Sequence, residues 1–449
     1  MTTTFVVLGA SGDLTSRLIL PALGELHDAE CLPTDLRIVA VARRDLSTDQ
    51  YLDKVRHDLD EAGVERASVE PVLERVEFVE ADATDVRAID ELPVADDGLV
   101  VVYLALPPAV FADVFRAISA SHLRDRVRLA IEKPFGEDLD SARALNEVLD
   151  QCFEPHQVHR VDHFLGHPIA RSLLGLRSGN RLLDAVWNGE HVAKIDVVWD
   201  ETLALEGRAG YYDGAGALRD MLQNHLLQLA ALLTMDLPAD DDPAAIAAAK
   251  LAIFRHVEAR PEASVRGRYT AGEIDGSPVP AYVDEDDVDA GRHTETYAEI
   301  ELSIDTERWR GVPVRLRSGK ALGSSRRCMA LAFRPPAGRS LCSADEHGIT
   351  LGIEPGRVEI HLGSPDSGDP FALGTLSCSA PLPGTHHSAY ARVLRDLFEG
   401  DQRFFVSAAE AEEQWRIVTP VLEAWADGRV PLEDYPAGSD GPDSSRRPQ

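Results

Sequence analysis

Phe5-Val6-Val7-Leu8 is a short apolar run that leads into Gly9-Ala10-Ser11-Gly12-Asp13-Leu14 and then into Leu14, Leu18, Ala22 and Leu26 at four-residue spacing. A buried strand, a glycine turn and a helix, in that order, commit the start of the chain to a parallel α/β sheet. Such glycines let the backbone approach a pyrophosphate, and the helix N-terminus supplies N–H donors and a positive dipole. The spacing is GxxG rather than GxGxxG. Glycine turns of this kind also join strands to helices where nothing binds, so the turn alone divides evenly between a dinucleotide cradle and a plain connection.

More strands follow. Leu36 to Val41 ends in Ala42-Arg43-Arg44, where an NAD enzyme usually carries Asp or Glu for the ribose 2′-hydroxyl. Arginine there suits a 2′-phosphate, and Arg43 is the better placed of the two; the alternative is a pair of surface arginines. Tyr51 to Leu73 reads as polar helices and Val76 to Val79 as a strand. Leu99 to Leu106 is a central strand, and Val127 to Ile131 runs into Glu132-Lys133-Pro134-Phe135-Gly136. Lys133 is one of only five lysines and stands at a strand's carboxyl end, where such sheets bind ligands; the plain alternative is an exposed loop lysine. After a helix from Ser141 to Leu149, the strand Val158 to Val161 opens into Arg160-Val161-Asp162-His163-Phe164-Leu165-Gly166-His167, which sets a carboxylate and two histidines where the pattern changes.

From Pro168 helical segments run to Trp187, and long strands follow at Ala193 to Trp199, Thr296 to Ile304, Val312 to Arg317, Cys328 to Arg334 and Val358 to Leu362. The expected fold is an α/β Rossmann domain, residues 1–165, followed by an α+β domain with a large, mainly antiparallel sheet, residues 166–435. A polar tail, 436–449, is too poor in apolar residues to order itself. A sheet with one face left over pairs with its copy, so a homodimer or homotetramer is expected. Ala215 to Met235 is the clearest helix, with Leu218, Leu222, His225, Leu229 and Leu232 along its apolar stripe and Arg219, Gln223 and Asn224 to one side. Pattern alone favours a core role for His225; as a base it would need a carboxylate partner, for which Asp162 is the natural choice.

Net charge is −31, which argues against a nucleic-acid partner. No apolar run approaches the ~20 residues of a membrane span, and the N-terminus lacks a signal-peptide pattern, so a cytoplasmic protein is expected. The five cysteines are scattered with no CxxC pair, and no metal-ligand spacing occurs, so free thiols and no metal are expected.

Taken together the motifs resemble the glucose-6-phosphate dehydrogenase family. Gly9 to Leu14 is similar to its GASGDL turn, Glu132 to Gly136 to its EKPFG, and Arg160 to Gly166 to its R-[IV]-D-H-[YF]-L-G. Glu206-Gly207-Arg208 with Tyr211-Tyr212-Asp213, Gly216 to Gln228, and Val312 to Leu322 match three more segments in order. The resemblance implies NADP-dependent oxidation of the C1 hydroxyl of a hexose phosphate. It makes His225 the general base, oriented by Asp162. Lys133 stands between cofactor and sugar, Asp220 and Glu201 hold sugar hydroxyls, and His163 and Lys320 bind substrate. Gly9, Ser11, Gly12, Asp13, Leu14 and Arg43 hold the cofactor.

One departure matters. The family motif continues Gly-Lys-Glu, whereas this chain has Gly166-His167-Pro168, and Phe164 replaces a frequent tyrosine. Losing a charged phosphate contact costs about 1.5–3 kcal/mol, or ~10–150-fold in affinity. His167 either binds phosphate when protonated, helped by Arg326 or Arg327, or serves a different phosphosugar, or hydrogen-bonds a free 6-hydroxyl. From another class, a non-catalytic sugar-phosphate sensor would have no need of a base.

Overall fold

The structure, a computed structural model, describes residues 2–205, 209–335, 347–365, 373–382 and 387–443. The chain divides into two compact units. The first comprises Met1–Gly166, Asp240–Ala247 and Gly384–Glu412; the second comprises His167–Ala239, Ala248–Pro383 and Glu413–Gln449.

The first unit is built on six parallel strands: β1 Thr3–Leu8, β2 Leu36–Ala42, β3 Val76–Glu80, β4 Leu99–Leu104, β5 Val127–Glu132 and β6 Val158–Val161. Their order is β3-β2-β1-β4-β5-β6. β1 pairs with β2 on one side and β4 on the other, so the winding reverses there and a crevice opens at the carboxyl ends. All six residues of β1 are buried, which is why it reads as a run rather than an alternation.

The sequence placed 166–435 in one domain; residues 240–247 and 384–412 belong instead to the first unit. The reason is packing. The helix Ala389–Glu399 contributes Ala391, Leu394 and Leu397 to the core that holds Phe5, Tyr103 and Val161. The Phe398 ring meets Phe5 edge-on at 5.4 Å, and Arg128 donates to the carbonyls of Leu397 (2.6 Å) and Phe398 (3.0 Å) at the helix end.

The second unit carries a mixed sheet of ten strands among the described residues. In chain order these are β7 Val192–Asp200, β8 Val257–Ala259 and β9 Val265–Thr270, then a separate hairpin of β10 Gly272–Ile274 and β11 Ser277–Val279. The sheet continues with β12 Tyr297–Ile304, β13 Val314–Gly319, β14 Arg326–Phe333, β15 Gly348–Gly352, β16 Arg357–Pro365, β17 Leu373–Pro381 and β18 Leu432–Pro436. The order is β17-β16-β15-β14-β7-β13-β12-β9-β18, with β8 also on β12. Pairing is antiparallel except between β7 and β13 and between β9 and β18.

The tail is a second correction. β18 extends to Pro436, and residues beyond it pair with the sheet's loops. Ala437 N–H donates to Thr270 O at 3.0 Å, Gly438 N–H to Ala321 O at 2.8 Å, and Gly323 N–H to Ser439 O at 2.8 Å. Main-chain hydrogen bonds thus hold a stretch that apolar burial could not; 444–449 lie outside the described residues. Of the cysteines, Cys31, Cys152, Cys328 and Cys378 are free thiols, and Cys342 lies outside the described residues. Among the described residues no helix is long and apolar enough to cross a membrane.

Candidate active site

In the first unit, Gly9 follows β1 with a φ of +89°, and a Cβ there would stand 2.2 Å from the carbonyl oxygen of Ala105. Glycine is required by both the backbone angle and that close approach. Gly12 N–H donates to Gly9 O at 3.1 Å and Thr15 N–H to Gly12 O at 3.2 Å, which closes the turn. Gly12 and Asp13 are exposed, while Ser11 and Leu14 are half-buried. Arg43, one residue past β2, is exposed. Ala81 N–H donates to Ala42 O at 3.1 Å, bringing the next residue of that chain, Asp82, toward Arg43. The Thr84 N–H and then its hydroxyl hold the Asp82 carboxyl below its usual range, with Arg43 adding to the effect.

Lys133 leaves β5 half-buried, through a cis bond to Pro134. Glu132 before it is buried and accepts the hydroxyls of Tyr103 and, at 3.2 Å, Tyr390. Burial pushes its carboxyl up, against the pull of both hydroxyls and of Lys133. The Tyr390 ring in turn lies face-on to His163, with centroids 5.1 Å apart and planes 19° from parallel. Asp162 is 2% exposed; its Oδ1 accepts Phe164 N–H at 3.0 Å and its carbonyl accepts Leu165 N–H at 3.0 Å. The turn that Asp162 starts therefore fixes its own carboxylate. Gly166 ends this stretch, where a Cβ would stand 2.3 Å from Ala389 O.

In the second unit the expected single helix from Ala215 to Met235 has three parts. Ala209–Ala217 ends at a break where Gly216 has φ 73° and ψ 168°; a π-wound segment runs Leu218–Leu226; an α-helix follows over Leu227–Thr234. The break is built by Glu295, whose carbonyl accepts Ala217 N–H at 3.1 Å and whose Oε1 accepts Leu218 N–H at 3.0 Å. A Cβ on Gly216 would lie 2.4 Å from that Oε1. Burial pushes the Glu295 carboxyl up, offset by the Leu218 N–H and by its own N–H.

π-winding has a geometric result. Its hydrogen bonds join residues five apart, as Leu227 N–H does with Leu222 O. Residues five apart then stand nearly in line, so Asp220 and His225 share a side that α-winding would separate. Asn224 and Arg219 are also five apart, and Asn224 Nδ2 donates to Arg219 O at 2.9 Å. The expected stripe of Leu218, Leu222, His225, Leu229 and Leu232 is buried, but so is much of the side expected to be polar. Gln223, Asn224 and His225 are 5%, 5% and 1% exposed, because the segment is enclosed and packs on β12 and β13. The carbonyls at the far helix end are also buried. Leu232 O and Met235 O accept from Arg177, Leu233 O from Trp187 and Thr234 O from Trp309.

Lys320 Nζ lies 2.8 Å from Glu201 Oε2, each side chain 17% exposed. Main-chain bonds set that pair: Glu201 N–H donates to Gly319 O at 2.8 Å and Leu322 N–H to Glu201 O at 3.0 Å. Lys320 Nζ also stands 5.3 Å from the ring centre of Tyr212. Burial, then the charges of Asp220, Glu295 and Glu201 among others, push the Tyr212 hydroxyl well up. Asp220, Glu201 and Lys320 are thus gathered around one buried tyrosine. His167 is the N-cap of the helix Pro168–Gly179, with its ring 6.0 Å from Trp199. The Arg327 guanidinium lies 4.6 Å over the same indole and pairs with Glu354. Arg326 lies 3.4 Å from Asp200, which also holds Arg317 at 3.0 Å.

The turn from Gly9 to Leu14, Arg43, Lys133, Asp162 and His163 therefore belong to the first unit, and His167, Glu201, Asp220, His225 and Lys320 to the second. Glu206-Gly207-Arg208 lie outside the described residues. Among the described residues no three His, Cys, Asp or Glu side chains cluster as a metal would need. Sequence reasoning passed over Glu132, Tyr212, Glu295 and Tyr390. The first two stand inside quoted motifs without having been given a role; Glu295 and Tyr390 arrive from far along the chain with no local signal.

A doubly wound dinucleotide-binding unit followed by a mixed-sheet unit defines a two-unit oxidoreductase of the Rossmann type. Residues 6–171 match the family model for the glucose-6-phosphate dehydrogenase NAD binding domain, and residues 174–448 match that for the glucose-6-phosphate dehydrogenase C-terminal domain. The chain belongs to the glucose-6-phosphate dehydrogenase family, whose members oxidise a CH–OH group. It is 34% identical to glucose-6-phosphate 1-dehydrogenase of Gluconobacter oxydans over 98% of this chain and 94% of that protein. It is 35% identical to glucose-6-phosphate 1-dehydrogenase 2 of Mycobacterium bovis over 98% and 91%. The crystal structure of glucose-6-phosphate 1-dehydrogenase from Mycobacterium avium superposes with a TM-score of 0.88 at 31% identity, covering 99% of this chain and 96% of that one. A glucose-6-phosphate dehydrogenase bound to its substrate glucose-6-phosphate superposes with a TM-score of 0.87 at 30% identity, covering 98% and 96%.

Proposed function

We propose that this protein oxidises the C1 hydroxyl of glucose 6-phosphate, or a close hexose phosphate, to the 6-phospho-lactone with NADP as acceptor. The reading rests above all on the π-wound segment that sets Asp220 and His225 on one side. His225 takes the C1 hydroxyl proton while hydride leaves C1. Asp162 orients the imidazole and offsets the charge it gains. Asp220 and Glu201 accept sugar hydroxyls, and Lys320, already held by Glu201, offers a donor to the sugar.

The residues present fit a dinucleotide. The Gly9 turn leaves room for a close backbone approach, and exposed Arg43 suits a 2′-phosphate. When bound, the nicotinamide supplies the hydride acceptor. Ser11, Gly12, Asp13 and Leu14 would line the pyrophosphate, with Lys133 between cofactor and sugar.

His163 and His167 would meet the substrate phosphate. His167 is a weaker cation than lysine, but Arg327 lies over the indole that His167 approaches and brings a permanent charge to that neighbourhood. The replacement of lysine also favours a second reading, a free hexose with His167 bonded to its 6-hydroxyl. Initial rates with NADP, comparing glucose 6-phosphate with glucose over a pH series, decide between them. Phosphate preference, with KM rising as pH climbs through the ordinary histidine range, supports the first; glucose as good or better overturns it. A homodimer or homotetramer in the cytoplasm completes the proposal.

A further inference from the structure

A cavity of about 330 Å³ lies in the first unit, within the range of small-ligand pockets. It is lined by Val158 and Arg160 of β6, by Phe153 and Phe405, and by the starts of two helices, Pro243–Phe254 and Ala408–Ala426. Most of the lining is apolar. The exception on β6 is Arg160, which is 5% exposed. Its Nη2 donates to Asn146 Oδ1 at 2.7 Å, yet its Nε has no hydrogen-bond partner among the described residues. A buried guanidinium N–H left unmet calls for an explanation, such as an absent ligand. Burial lowers the Arg160 pKa to about 10, opposed by Asp150, Glu410 and Glu412, so the group stays charged at neutral pH.

The second helix supplies more donors. The first N–H groups of a helix have no partner within it, and its N-terminus favours negative charge. Ala408 and Ala409, the first two residues of Ala408–Ala426, line the cavity. The nearby carboxylates are engaged. Glu412 accepts from Asn146 at 2.9 Å and lies 3.7 Å from Arg143, and Glu410 accepts the Ser407 hydroxyl at 3.0 Å. Neither lines the cavity; Asp150 does, as an exposed residue.

We propose that this cavity is a second binding site, for a small organic monocarboxylate with a compact apolar body. The carboxylate meets the outer edge of the Arg160 guanidinium and the amide edge of Ala408–Ala426, and the body lies against Phe153 and Phe405. The site differs from the candidate active site, but β6 leads directly into Asp162, two residues on from Arg160.

Calorimetric titration of the full chain with benzoate tests this, with no other ligand, with NADP alone saturating, and with glucose 6-phosphate alone saturating. One benzoate per chain is expected in each condition. Arg160→Leu and Ala247→Phe, which fills the cavity and leaves Arg160 in place, should each weaken it by at least about tenfold. Acetate, which lacks the body, and benzyl alcohol, which lacks the charge, should bind less tightly by a similar factor. Unsaturable binding, unchanged affinity in Ala247→Phe, equal affinity for benzyl alcohol, or loss of benzoate when either other ligand saturates would each overturn it. None of these outcomes depends on which sugar the enzyme oxidises.

Discussion

The strand that carries His159 and the helix that carries His225 bury a histidine almost equally, to 0% and 1% exposure, and surround it differently. His159 sits on β6 with its ring edge-on to Phe405 at 4.7 Å, and neither ring nitrogen makes a well-formed hydrogen bond among the described residues. Burial, then the charge of Arg128, drive it down to about 3 against a weaker pull from the Gln157 backbone. It is neutral filler. His225 stands in a segment wound so that a carboxylate shares its side, with Gln223 and Asn224 as neighbours. Burial alone does not mark a catalytic histidine; under the proposed function, the polar groups buried beside His225 set it apart from His159.

That contrast can be broken in order of effect. His225→Asn should cut kcat by about 10²–10⁴-fold while leaving NADP affinity, read by fluorescence, unchanged. Retained turnover would make His225 a core residue like His159. Gly216→Ala attacks the break that starts the π-wound segment, and should cost about 2–3 kcal/mol in urea unfolding, since the residue needs positive φ and its Cβ would meet Glu295. His159→Leu should spare activity and change the pH profile of stability. A histidine whose folded pKa lies near 3 takes up protons on unfolding below its ordinary 6.5, so stability falls as pH drops through that window. The wild type should lose about 2 kcal/mol by pH 5 from this residue alone, and the variant should not. Arg43→Ala, at an exposed site, should weaken NADP by about tenfold more than NAD; equal losses would remove it from the 2′-phosphate.

The parallel sheet of the first unit was legible because strands buried on both faces read as apolar runs, and all six were found within about two residues. In the second unit β8 to β11, β15, β17 and β18 escaped. Leu373–Pro381 mixes small, polar and apolar residues, and those from Gly374 to Pro381 are exposed, so no buried face marks it in the pattern. The site residues could be named because they sit inside ordered motifs. The π-winding could not, since a 3.6-residue stripe and the real sequence agree on Leu218 and Leu222 and diverge only where Glu295 reshapes the start. Nor could the partners of His163, because Tyr390 lies more than two hundred residues away in the chain.

The three-segment composition of the first unit has a consequence on the ribosome. Its six strands are complete at Val161, but the helix Ala389–Glu399 that supplies part of its core is translated far later. At 5–20 residues per second the delay is roughly 11–46 s. For that interval the nascent sheet presents Phe5 and Tyr103 without their final cover. The second unit must be synthesised while the first is still unfinished, so a chain stopped at the end of the dinucleotide-binding motifs would expose apolar surface and invite aggregation or chaperone capture.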